Sequence, residues 1–71
     1  MTPEEIKAAL ASLNLTQQQG ARLFRHNERT IRRWIAGDVG VPQGIAILLQ
    51  MLVDGIVTVA DVQRAAEKMF D

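Results

Sequence analysis

The chain contains no cysteine, and Ser12 and His26 are its lone serine and histidine. Those scarcities remove most enzyme chemistry. Without cysteine there is no disulfide staple and no thiolate metal site. A hydrolase triad needs a nucleophile, a base and an orienting acid, and one serine with one histidine is thin material for it. Histidines and carboxylates nowhere cluster at metal-ligand spacing. Gly37, Gly40 and Gly44 follow no strand, which excludes a glycine-rich phosphate loop. We therefore expect no enzyme and no cofactor.

Long apolar runs are missing too. The longest, residues 45–53, is broken by Gln50 and falls far short of the ~20 residues that span a bilayer. The N-terminus has no basic region leading into an apolar segment. We expect a soluble, cytoplasmic protein with no membrane partner. Internal repeats, low-complexity segments, linkers and strand-like alternation are also absent, which leaves an all-α chain in one domain over residues 1–71. A chain this short buries only ~60% of the surface it exposes when unfolded. Its 48% hydrophobic content is enough for a small core.

Net charge is zero, but the charges are segregated. Residues 22–33 hold Arg22, Arg25, Arg29, Arg32 and Arg33 against the single acid Glu28, a local charge of +4. The remainder has three bases against seven acids, or −4. One basic face on an acidic body suits a protein that meets phosphate in one orientation. A solvated arginine-rich helix would carry the same charges.

Helix signals recur along the chain. Thr2, Pro3 and Glu5 open helix 1 as cap, first helical residue and capping-box acid, and Ile6, Ala9 and Leu10 share its inner face to about Ser12. The chain then turns at Asn14. Thr16 with Gln19 opens helix 2, Gln17 to Phe24, with Ala21 and Leu23 or Phe24 facing in. Asn27 caps helix 3, Glu28 to Ala36, and Gly37 ends it. Ile31, Trp34 and Ile35 fall on the inner side of helix 3, and its arginines on the outer. Helix 4, residues 42–54 with Pro42 in its first turn, is apolar nearly all the way round and more than so short a chain can cover. Gly55 closes it. Thr58 and Asp61 open helix 5, to about Phe70, with Val59, Val62, Ala66 and Met69 in a stripe. That stripe and helix 4 can be monomer core or a subunit interface.

Leu15-Thr16-Gln17, Ala21, Leu23-Phe24, Thr30-Ile31, Trp34 and Gly37, at these offsets, resemble the helix-turn-helix of the Cro and phage-repressor superfamily, also called the xenobiotic-response-element (XRE) family. The resemblance covers residues 3 to about 54, with the helix-turn-helix at 16–37. It implies a lambda-repressor-like five-helix domain whose third helix enters the major groove of double-stranded DNA. Glu28, Arg29 and Arg33 would then meet base edges, with Arg32 beside them reaching base or phosphate. Gln17, Arg22, Arg25 and Asn27 would contact phosphate. Arginine chemistry agrees, because a guanidinium offers two parallel donors that match O6 and N7 of guanine, whereas a carboxylate accepts from N4 of cytosine.

The chain departs from that pattern at Gly20 and His26, where aliphatic residues are usual, at Arg25, where glycine is common, and at Ile35 in place of a frequent glutamate. Gly20 is expected to remove a core contact. His26 reads either as a phosphate-gripping residue beside Arg25 or as a half-buried filler. The expected function is a transcriptional regulator, most simply an autorepressor, that binds a palindromic operator as a homodimer through residues 45–70. The alternative is a protein-interaction module of the same fold, antitoxin-like or an anti-activator, whose apolar helix 4 or 5 grips a protein partner.

Overall fold

Four helix starts are written into short polar motifs, and in a computed structural model of the chain each forms as the motif requires. Thr2 and Glu5 exchange hydrogen bonds at 2.9 and 3.2 Å, Thr16 and Gln19 at 2.9 and 3.1 Å, and Thr58 and Asp61 at 3.0 and 3.1 Å. In each pair the cap hydroxyl accepts from the backbone of the third helical residue, whose side chain accepts from the cap's N–H. Asn27 Oδ1 accepts from Thr30 N at 2.8 Å. Hydrogen bonds to the Thr2 and Thr58 backbones hold the Glu5 and Asp61 carboxyls below their ordinary values. A lowered carboxylate stabilises the fold above its unfolded pKa, and the effect fades as acid protonates it.

The structure describes residues 1–70, without the Phe70 side chain, so Asp71 of the expected 1–71 domain lies outside the description. Among the described residues there are five helices and no strands: α1 Pro3–Ser12, α2 Gln17–Phe24, α3 Glu28–Ala36, α4 Gln43–Val53 and α5 Val59–Phe70. Helix 4 begins one residue later than expected. Pro42 has an extended ψ of 139° and is the residue before the helix instead of its first member. The radius of gyration is 11.4 Å, close to the ~11 Å of a compact chain of this length.

The core is built from Ile6, Ala9 and Leu10 of α1, Ala21, Leu23 and Phe24 of α2, Ile31 and Trp34 of α3, and Leu49 and Leu52 of α4. Both Leu23 and Phe24 are buried, which resolves the alternative left open by their spacing. Helix α1 packs against α3 and α4, α2 against α3 and α5. Among the residues of α5 whose side chains are described none is fully buried, and Val59, Val62 and Ala66 are partly covered. Helix α4 buries Leu49 and Leu52 and leaves Ile47 and Val53 exposed.

Gly20 is not an empty place where an aliphatic residue was lost. It is buried, and a Cβ there would lie 3.0 Å from Leu10 Cδ2. The Leu10 side chain fills the space that a larger residue on α2 would occupy. Gly20→Val should therefore lower stability by ~1–3 kcal/mol through overpacking. Gly20→Ala should change it by less than ~1 kcal/mol, because better helix propensity offsets the tight contact. Chemical denaturation of the two variants checks the ordering.

Candidate nucleic-acid interface

Helix α3 is short and polar, and two side chains tie it down. Ile31 and Trp34 are 1% and 3% exposed, and Ile35 packs beside them, partly buried. With ~100° between successive residues, the other side of α3 presents, in angular order, Glu28, Arg32, Ala36, Arg29 and Arg33 across about 140°. All five are exposed. The core thus fixes the rotation of α3 about its own axis, and every charged residue of the helix points to solvent.

The four residues expected to read bases fall into two pairs on that surface. Arg32 Nη1 lies 3.6 Å from Glu28 Oε1, one turn apart, with both side chains solvated; an exposed pair of this kind contributes ~0–1 kcal/mol. Arg29 and Arg33 are also one turn apart, on the opposite edge, and neither forms an ion pair among the described residues. Arg32, already set apart from Arg29 and Arg33 by position, is thus also the arginine of the three that is ion-paired among the described residues.

The turn between α2 and α3 occupies three residues. Arg25 adopts the left-handed conformation, φ 58° and ψ 36°, which costs an L-residue ~1–2 kcal/mol relative to glycine. Its N–H donates back to Arg22 O at 3.4 Å, and the next N–H, of His26, donates to Ala21 O at 3.0 Å. These bonds satisfy the last carbonyls of α2, as left-handed helix endings do. His26 is exposed, not half-buried, and its ring stands edge-on to Trp34 with centroids 5.1 Å apart and planes at 68°. That contact was not foreseen from the sequence. Its only signal is that a turn histidine and an inward tryptophan bracket the same helix.

Asn27 Oδ1 accepts from both Thr30 N and Thr30 Oγ1, at 2.8 and 2.9 Å. The oxygen belongs to the cap, which leaves the amide NH₂ as the group able to donate outward. Gln17, partly exposed, is the first residue of α2, where the leading N–H groups have no partner inside the helix and an anion is favoured. Arg22 and Arg25 are exposed on the last turn of α2 and just after it. The cationic and donor groups of residues 17–33 thus belong to two helices and the turn that joins them.

No protein-family model, curated protein or solved structure matches the chain. Among the described residues no group of His, Cys, Asp and Glu could hold a metal ion, and no helix is long and apolar enough to cross a membrane.

Asn27→Ala should lower stability by ~1 kcal/mol through loss of the cap, whereas Asn27→Ser, which can still accept from Thr30 N, should stay within a few tenths. Thermal melts of the two variants compare them. If nucleic-acid affinity falls in both variants, the amide NH₂ has a role beyond the cap.

Proposed function

We propose that this chain is a sequence-specific, double-stranded-DNA-binding regulator of the Cro and phage-repressor type, reading the major groove with α3 and most simply repressing its own operon. One observation carries the reading: a helix pinned by Ile31 and Trp34 turns Arg29 and Arg33 outward with no ion-pair partner among the described residues. A major groove admits an α-helix, and an arginine fork matches one edge of guanine. In this reading Arg29 and Arg33 specify sequence. Glu28, held by Arg32, accepts from cytosine or positions Arg32 for base or phosphate. Gln17, Arg22, Arg25 and Asn27 set the register on phosphates, which position a protein without specifying sequence.

The exposed apolar surface supports a homodimer as part of this reading. Ile47, Val53, Ile56 and Met69 are 55%, 43%, 68% and 75% exposed. A mostly apolar groove of about 220 Å³ lies between the end of α2, α4 and α5, lined by Phe24, Ile45, Leu48, Val62, Ala66 and Met69. A two-fold interface over residues 45–70 covers such a surface with a second copy of itself. The same apolar surface favours the second reading, a module that grips a different protein. The arginine face of α3 favours the first reading, because a pure interaction module has little reason to keep three arginines on that helix.

Two measurements test the proposal. Sedimentation should show a dimer at micromolar concentration, with the two copies of α3 spaced to meet grooves about 34 Å apart on one face of DNA; a monomer both free and with DNA contradicts it. In binding titrations, Arg29→Ala or Arg33→Ala should cost ~1–3 kcal/mol on the inverted repeat upstream of the protein's own gene, with little loss on scrambled DNA. Arg22→Ala or Arg25→Ala should weaken both DNAs alike and flatten the salt dependence by about one unit of slope. Equal losses on operator and scrambled DNA for the α3 variants would remove α3 as the reading element and favour the interaction module.

A further inference from the structure

Helix α4 holds no Asp, Glu, Lys or Arg, whereas each of the other four helices carries charge. Its polar side chains are Gln43 and Gln50. Leu49 and Leu52 turn into the core. With ~100° between successive residues, a second apolar stripe of Ile47, Met51, Gly44 and Leu48, in angular order, lies about 120° round the helix from that buried pair. Ile47 is 55% exposed, Gly44 is exposed, and Met51 and Leu48 are partly covered. Helix α1 packs on one flank of α4, and the groove shared with α5 borders the other.

Positions 44, 47, 48 and 51 are spaced as a helix face that packs on another helix. The stripe is also self-complementary in size. In an antiparallel pair with its two-fold axis between positions 47 and 48, Gly44 of one copy faces Met51 of the other, and Ile47 faces Leu48. A Cβ at Gly44 would meet nothing within 4 Å, so that notch is open to a flexible thioether chain. Charge points to the same occupant. A two-fold axis sets each residue near it against its own copy, so a charge there repels itself, and an uncharged helix suits the axis. A different protein would find no charged group on α4 by which to orient itself. The acids at the edges of the stripe are engaged within their own chain: Asp54 accepts from Gln50 Nε2 at 3.0 Å, and Glu5, which borders a depression with Ile47, accepts from Thr2 N at 2.9 Å.

We propose that α4 packs antiparallel against α4 of a second copy along Gly44, Ile47, Leu48 and Met51, and that this seam is the centre of the homodimer. The inference rests on the homodimer of the function proposed above and replaces its broad span with a defined contact. Each half of the seam sets a small residue against a large one, and the two-fold repeats the match in the other half. Antiparallel helices also bring opposite dipole ends together. The groove lined by Phe24, Val62 and Met69 then lies to one side of the axis instead of on it.

The test is sedimentation equilibrium of the full chain, without DNA, for wild type, Ile47→Glu, Ile47→Lys, Gly44→Gln and Ala65→Glu, with circular dichroism to confirm that each is folded. Ile47 and Gly44 are exposed, so their variants keep the monomer fold. Ile47→Glu and Ile47→Lys should each raise the dimer Kd about a hundredfold or more, because like charges meet across the axis. An equimolar mixture of the two should dimerise again, an outcome that general damage to the fold would not give. Gly44→Gln should weaken the dimer by filling the notch for Met51. Ala65→Glu, on the α5 side of the groove, should leave it unchanged. If the Ile47 and Gly44 variants dimerise as tightly as wild type, or if the Glu and Lys variants dissociate and their mixture does not recover, the seam is overturned and the homodimer stands. Dissociation by Ala65→Glu alone would move the interface to the groove. A wild type that is monomeric at high micromolar concentration removes both the seam and the homodimer.

Discussion

The burial of Ile31 and Trp34 is the constraint on which the rest of the structure depends. Helix α3 is nine residues long, and an isolated helix of that length is not stable in water. It exists because one side chain of each turn is inserted into the core formed by α1 and α2. The same insertion sets which residues face outward, so the location of the arginine surface follows from apolar packing on the other side. Fully burying each side chain contributes on the order of 1.5–3 kcal/mol, a large share of the stability of so small a protein.

The turn ahead of α3 shows local strain and tertiary packing held in balance. A left-handed arginine is unfavourable, yet it allows the Arg25 and His26 amides to close the end of α2 while Asn27 begins α3 at once. A longer connection would leave the direction of α3 less well defined. The His26 ring against Trp34 ties the turn to the core by a second route. A residue usually adopted for its backbone freedom is replaced by one that adds charge near the proposed DNA surface.

The other end of the molecule is under-packed. Helix α5 docks on α2, and the groove between it and α4 stays open. Among the described residues the ten buried apolar side chains come mostly from α1 to α3, and the described part of the C-terminal helices contributes more surface than core. This asymmetry places most of the buried core around α3 and the exposed apolar side chains of α4 and α5 away from it.

Local chemistry determined much of this protein from sequence. Thr2 with Glu5, Thr16 with Gln19, Asn27, and Thr58 with Asp61 fixed the helix starts, because a cap and its partner are three residues apart and need nothing distant. Gly37 and Gly55 marked helix ends for the same reason. Inward positions such as Ile6, Leu10, Ile31 and Trp34 followed from helical periodicity, and the basic face of α3 is their complement. What periodicity could not supply were contacts between elements. Gly20 looked like a lost contact until Leu10 was seen to occupy its space, and His26 was ambiguous until Trp34 was found beside it. Arg32 was set beside Arg29 and Arg33 by its position, but its ion pair with Glu28 is a contact that only the structure shows. In the first two cases the deciding neighbour is far enough along the chain that only the packing of helices brings it near. In the third, two solvated rotamers choose each other, a choice that helical spacing permits without requiring.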